Sequence, residues 1–485
     1  MRTVKRQAGV AAGNADTARA AVEVLRAGGT AVDAVVAAGF ASAVSELTLT
    51  GLGGGGFLLV DRPGERPVVL DAFVAAPGRG ARREPEMAPV TVHFEDADQV
   101  FHAGWGSVAV PGCLDGYLAA HARWGVLPLA DVVAPARRLA LEGSVLDGIQ
   151  AGLLVLLREI LLLSAEGREL VAPRGELLAR GQRLHNEAYA ALLAEVAAGR
   201  TRSLADARWA APFAAAAAAG GGVLTVDDLE AYAVVERAPL HLEHPAAGVV
   251  TNPPPSVGGS RVVSALAELA GSGDDDEGAW AHRLAAALVR ISAREPGAGP
   301  QALRGTTHVS VVDADGTAAS MTTSNGSCSG VFVPGTGVLL NNMMGELDLH
   351  PEGLHALEPG TRIGSMTAPT VVRSADGSVT ALGTGGSERI RSTMTCVLSR
   401  LLDRGAGLED AVRAPRLHWD GGRLQVEPGL AADVARGLAD AYAVQTWARP
   451  DLYFGGVHAV RRSSDGTTTA VGDERRGGVA AVVEL

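Results

Sequence analysis

Gly305-Thr306-Thr307-His308-Val309-Ser310-Val311-Val312-Asp313-Ala314-Asp315-Gly316 is the stretch that decides how this chain is read. Its β-branched residues predict a strand over His308 to Val312, a turn at Asp313 to Gly316, and a second strand over Thr317 to Thr323. A threonine hydroxyl is almost never ionised near neutral pH, so as a nucleophile it needs a base beside it. One solution is for the threonine to become a chain N-terminus, whose own α-amine, with a pKa of ~7.7–8.0, takes the proton. Thr306 lies far inside the chain, so this solution requires the chain to cut itself between Gly305 and Thr306. Gly305 supplies a permissive backbone on the acyl side of such a cut. On their own the four opening residues carry little, because a Thr-Thr pair at the start of a strand is ordinary β-propensity.

The bulk properties narrow the field. A chain of 485 residues exceeds one ordinary core, which predicts two sub-domains or one large layered domain. A hydrophobic content of 47% with 20% charged residues argues for a packed globule. A net charge of −12 without a basic cluster argues against a nucleic-acid partner. Lys5 is the only lysine, which removes a phosphate-loop lysine and a pyridoxal Schiff base, so no cofactor is expected. Cys113, Cys328 and Cys396 are too scattered for a zinc site or a disulfide framework, and no metal is expected. No apolar stretch follows the charged N-terminus, and the longest apolar run, Trp209 to Val226, is Ala- and Gly-rich and contains Pro212. That run reads as a buried helix and a loop rather than a membrane span, so a cytoplasmic protein away from membranes is expected.

Along the chain, Asn14 and Asp16 predict a capped helix over Ala18 to Ala27, ended by Gly28-Gly29, and a second helix follows over Ala31 to Val44. Both are apolar on most sides and read as buried against a sheet. The Gly51-Leu52-Gly53-Gly54-Gly55-Gly56 run formally matches a dinucleotide fingerprint. It follows a helix and opens a strand, the reverse of what that fingerprint needs, so it reads as a place of close backbone approach. From Val110 to Tyr232 the pattern is helical, with an interior-looking Leu153-Leu154-Val155-Leu156-Leu157 run and no evident chemistry. Val249 to Thr251 predicts a strand before the stiff Pro253-Pro254-Pro255-Ser256 loop, and a helix starts from Arg261. Gly271 to Gly278 and Glu295 to Pro300 are linker-like, the second just before Thr306. After Thr306 strands dominate, at 338–340, 370–372, 379–382, 457–460 and 479–483.

These motifs, in this order, resemble the γ-glutamyltranspeptidase family over essentially the full length. The landmarks are Ala27 to Ala34, the Gly53 to Phe57 loop, Val110-Pro111-Gly112, Gly221 to Thr225 and Pro253 to Ser256. Thr306-Thr307-His308, Leu340-Asn341-Asn342 and Ala368-Pro369-Thr370 complete the series. The resemblance implies an α+β protein with the four-layer αββα fold of N-terminal-nucleophile hydrolases, without a cofactor. It implies self-cleavage into segments 1–305 and 306–485 that stay together as a heterodimer acting on a small molecule. Thr306 would be nucleophile in maturation and again in catalysis, with an acyl-enzyme passing to water or to an acceptor amine, as hydrolase or transferase. Ser324 stands where the family has a Thr that bonds the nucleophile, and Asn325 lies one residue before the family's Asn. Gly385 and Gly386 match the pair whose N–H groups form the oxyanion hole.

The departures concern the substrate. Where the family grips the glutamate α-carboxylate with an Arg, this chain has Phe73, which cannot replace a bidentate, charge-assisted contact. Met343 replaces a polar residue of the amine pocket, Glu346 stands in for an Asp, and Ser365 is what remains of a Ser-Ser pair. The expectation is therefore a Thr hydrolase or acyltransferase on an amide or γ-glutamyl-like substrate with altered glutamate recognition. Two alternatives stand beside it. One is a relative serving an antibiotic pathway that cleaves a C–C bond to release an oxalyl group, and the other is an uncut, non-catalytic binding protein. A third reading makes Cys328 a nucleophile paired with His308, although Cys328 leads into a strand rather than the helix that a nucleophile elbow needs.

Overall fold

The computed structural model describes residues 6–93, 98–273, 275–292, 305–350 and 352–485. The linker-like Glu295 to Pro300 segment lies outside them, as does Asp274 of the other linker.

Thirteen strands form two sheets. The first has seven, in spatial order 479–484, 7–12, 305–312, 318–326, 55–61, 68–72 and 235–237. The second has six, in the order 468–471, 456–462, 379–385, 370–374, 247–251 and 240–244. Alternation along each strand sends one set of side chains to a helix layer and the other between the sheets. Thus Val309 and Val311 pack with the helices Ala15–Arg26 and Ala31–Ser45. Val312 and Ala318, on the opposite face, meet Val371, Ala381 and Val460 of the second sheet. The outer side of that sheet packs on helices Gly258–Leu269 and Arg389–Leu402, with Glu277–Ser292 and Ala432–Ala441 beyond. The result is the four-layer αββα architecture expected from the sequence.

The first two helices form, the second as read and the first over Ala15–Arg26 with only one face buried. Asn14 Oδ1 accepts from Asp16 N at 2.8 Å, and Thr30 with Asp33 makes a complete capping box for the second helix. All fifteen residues of that second helix are buried, which its all-round apolar sequence requires. The Gly51–Gly56 run serves close backbone packing. A Cβ on Gly53 would meet the Leu339 carbonyl at 2.2 Å, and one on Gly55 would meet Val74 N at 2.5 Å.

Three expectations change. The Trp209 region forms helix Ala207–Ala219, but only Trp209, Ala210, Phe213 and Ala217 are buried, so it lies on the surface with one face inward. The leucine run ends helix Gly148–Leu156 with Leu153, Leu154 and Leu157 buried as read but Val155 64% exposed, so it is interior on one face only. After Thr306 the chain is not strands alone, because Arg389–Leu402 is a buried helix. Among the described residues no helix is long and apolar enough to cross a membrane.

Candidate active site

The strand Gly305–Val312 pairs antiparallel with Ala318–Gly326 as predicted, with one irregularity. Gly305 faces Gly326 and Thr306 faces Ser324, so Asn325 is an extra residue on the partner strand. This bulge brings the Ser324 hydroxyl onto the peptide bond before Thr306. Thr306 Oγ1 donates to Ser324 Oγ at 3.2 Å, and Ser324 Oγ donates to the Gly305 carbonyl at 2.5 Å. Gly326 N completes the set by donating to Ser324 Oγ at 3.0 Å. One hydroxyl therefore bridges the Thr306 side chain and the carbonyl just before it. Gly305 is needed here for space: a Cβ would lie 2.4 Å from the Thr48 carbonyl and 2.5 Å from that of Gly326.

The remaining site residues gather at this same end of the two sheets. Gly385 ends its strand against Thr306, where a Cβ would come within 2.2 Å of the Thr306 carbonyl, and Gly386 follows with a φ of 137° before helix Arg389–Leu402. Glu346 accepts from Ser327 N at 3.0 Å and sits beside Gly326, the partner of Gly305. Ser365 holds the proline loop, accepting through its carbonyl from Ser256 Oγ at 2.9 Å and Val257 N at 2.7 Å, while its hydroxyl lies 3.0 Å from Thr367 Oγ1. Asn325 faces away from Thr306. Its side chain lies against Gly54 and donates to the Leu339 carbonyl at 3.4 Å.

Phe73 reaches the same region through its backbone only. Ser324 pairs with Gly55, whose neighbour across the next strand is the Phe73–Val74 backbone. The phenyl ring turns into the core between the sheets, stacked on Phe57 at 5.2 Å and clustered with Met343, Met344 and Ile363. Tyr232 Oη and Arg362 Nη1 both donate to the Phe73 carbonyl, at 2.7 and 2.5 Å, and fix that orientation.

Two charged residues at the site escaped the sequence reading. Glu46, at the end of helix Ala31–Ser45, accepts from Thr307 Oγ1 at 2.5 Å and Thr17 Oγ1 at 2.7 Å. The signal available was a lone carboxylate, the only acidic residue between Asp33 and Asp61. Arg476, the last residue of the turn Glu474–Arg476 before the final strand, donates through Nη1 to the Thr306 carbonyl at 3.4 Å. Both line a small cavity beside Thr306, and Ile149 and Leu153 close it, so the leucine-rich helix assigned no chemistry does reach the site. Cys328 is fully buried with its thiol pushed up to about 12 by burial, while both His308 nitrogens bond hydroxyls, of Thr322 and Ser310, at 2.8 Å. That geometry gives no Cys–His pair.

Burial raises the Glu46 carboxyl to about 7, partly offset by the Thr307 and Thr17 hydrogen bonds. Below pH ~4.5 the group is neutral folded or unfolded and contributes nothing. Between there and about 7 the unfolded chain gives up its proton first, so stability falls as pH rises, and above 7 the loss is constant. Glu46→Gln is neutral throughout. Its stability relative to the wild type is expected to improve by ~3 kcal/mol between pH 4.5 and pH 8, read from urea midpoints. An unchanged difference across that range would contradict the assignment.

These four layers are the architecture of the N-terminal-nucleophile hydrolases, and Thr306 lies at the open end of the central hairpin. The gamma-glutamyltranspeptidase family model matches residues 17–289 and 274–483, and the chain belongs to that family. It is 30% identical to an acylase ACY 1 proenzyme of Pseudomonas sp. (strain V22), over 96% of this chain and 91% of that one. It is 28% identical to the glutathione hydrolase proenzyme of Escherichia coli (strain K12), over 89% and 84% of the two chains. The structure superposes on cephalosporin acylase from Bacillus halodurans with a TM-score of 0.83 at 25% identity, covering 99% of this chain and 97% of the other. The protein is thus an enzyme of the γ-glutamyltransferase-like hydrolase and acyltransferase class.

Proposed function

We propose that the chain cuts itself before Thr306 and that the freed Thr306 then acts as the nucleophile of an amide-cleaving hydrolase or acyltransferase. The observation carrying this reading is the Ser324 hydroxyl, which touches both Thr306 Oγ1 and the Gly305 carbonyl oxygen. In maturation Thr306 Oγ1 attacks the Gly305 carbonyl carbon while Ser324 donates to its oxygen, where negative charge builds up. The C–N bond breaks, the nitrogen takes a proton, and an ester links Gly305 to Thr306 Oγ1. Water then cleaves the ester, leaving a Gly305 carboxylate and a Thr306 α-amine. In turnover that amine takes the hydroxyl proton as Thr306 attacks the substrate carbonyl, and the proton passes to the leaving amine. Gly385 and Gly386 N–H groups stabilise the oxyanion, and water or an acceptor amine removes the acyl group.

The substrate is an amide or γ-glutamyl-like compound bound without the family's usual glutamate clamp. Phe73 and Met343 are committed to the core between the sheets, which supports this, while Glu346 and Ser365 remain at the site end. The relatives' names, acylase and glutathione hydrolase, are consistent with acyl cleavage. Denaturing electrophoresis of purified protein tests the proposal. Two fragments of about 31 and 18 kDa are expected, scaled by segment length from 49.4 kDa. A single intact band from active protein would overturn it.

A further inference from the structure

Arg476 is buried, with 9% of its surface exposed, in the wall of the cavity that Thr306 also lines. Its Nε donates to the Leu452 carbonyl at 3.3 Å and its Nη1 to the Thr306 carbonyl at 3.4 Å. Its Nη2 is sealed from solvent and has no partner among the described residues. Leaving a buried guanidinium N–H unsatisfied is costly, and charged donors most of all, so such a group calls for an acceptor. Leu49, Ile149, Leu153 and Leu452 supply apolar walls that would strengthen an ionic contact made between them.

The charged surroundings favour an anion from outside the chain. Arg476 is pushed down to about 10 by burial first and by Arg389 next, against the pull of Asp473, Asp451 and Glu46, so it stays charged at neutral pH, and Asp451 Oδ1 accepts from Tyr453 N at 2.9 Å. Glu46 lines the same cavity, but its hydrogen bonds go to Thr307 and Thr17. Asp473 is engaged by Arg416 and by Arg475, the latter at 3.2 Å. On the other flank of Thr306, beyond Ser324, the Phe73 ring fills the inter-sheet core instead of offering a cation.

We propose that Arg476 binds a carboxylate of the substrate, so that this enzyme takes carboxylated amides and grips their anion from the flank opposite Phe73. This rests on the catalytic reading of Thr306 above. The carboxylate could sit on the acyl group or on the leaving amine, and both arrangements place an anion at Nη2.

The experiment compares self-cleaved wild type with Arg476→Leu and Arg476→Lys. Two ligand pairs are titrated by calorimetry, glutaramate against the neutral valeramide for the acyl side and 5-amino-2-nitrobenzoate against p-nitroaniline for the amine side, and turnover is measured on glutaryl and valeryl p-nitroanilides and on valeryl 3-carboxy-4-nitroanilide. In at least one of the two pairs the carboxylated ligand should bind wild type ~10- to 100-fold more tightly than its neutral partner, and Arg476→Leu should abolish that preference. Whichever carboxylated anilide is preferred by wild type identifies the side of the scissile bond that carries the anion, and that preference should vanish in Arg476→Leu and persist in weakened form in Arg476→Lys. An equal fall for carboxylated and neutral anilides would mean that Arg476 only positions Thr306, and would overturn the proposal. If wild type turns over none of the anilides, the reading of the reaction fails, while the two carboxylated-to-neutral binding ratios still decide the carboxylate site. If Arg476→Leu does not fold, wild type alone decides: equal affinities within both ligand pairs sink the proposal.

Discussion

Thr306→Ala should accumulate as one 49.4 kDa chain and lose activity by at least about 10⁴-fold, because it lacks the atom that attacks in both maturation and turnover. The substitution removes a hydroxyl and a methyl at a buried position whose backbone ladder is untouched, so the variant should fold, and its melting curve provides the control. Thr306→Ser keeps the oxygen and should still cut. Ser324→Ala refines the test. It removes the donor seen 2.5 Å from the Gly305 carbonyl, and losing one preorganised donor of this kind slows a reaction ~10²- to 10³-fold. Cutting should therefore become slow enough to follow on gels over hours, and Ser324→Thr should restore it. Rapid cutting of Ser324→Ala would remove Ser324 from the chemistry while leaving Thr306 in place.

Phe73→Arg is expected to destabilise the protein by ~4 kcal/mol or more without conferring glutamate recognition. The ring stacks on Phe57 amid Met343, Met344 and Ile363, and deleting such an aromatic alone costs about 3–5 kcal/mol. An arginine in its place would bring an unpaired charge into the same cluster, close to Arg362, which already holds the Phe73 carbonyl. Restoring the family's residue type at this position thus does not restore its function, because the surrounding pocket has been filled with side chains of matching shape. Apparent unfolding midpoints and a γ-glutamyl anilide assay check both halves. A stable Phe73→Arg protein that gains γ-glutamyl turnover would show that the pocket is still open.

The parts of this site that could be read in sequence are those carried by local pattern. The alternation around Thr306, the cap at Asn14 and the strand-opening glycines each depend on neighbours a few residues away, and all form where the pattern places them. Asn325 shows the limit of that reading. Its neighbour Ser324 reaches Thr306 only because a bulge inserts one residue into the ladder, and a bulge of this kind leaves no periodic signature. Glu46 and Arg476 were invisible for a different reason. Their contacts to Thr307 and Thr306 span 261 and 170 residues, and no periodicity connects positions so far apart. Phe73 lay between these cases. The sequence resemblance set Phe73 where an arginine is expected, but only the structure shows its ring stacked on Phe57 in the core.

The order of strands in the larger sheet bears on what happens to the two segments after a cut. Residues 7–12 lie between 305–312 and 479–484, so a strand of the first segment is hydrogen-bonded on both edges to the second. On the other side of the nucleophile strand, 318–326 is followed by 55–61, again a strand of the first segment. The two pieces are interleaved like shuffled cards rather than docked along one face. Dilution, which parts ordinary subunits, would leave them joined, and they would come apart only when the whole sheet melts.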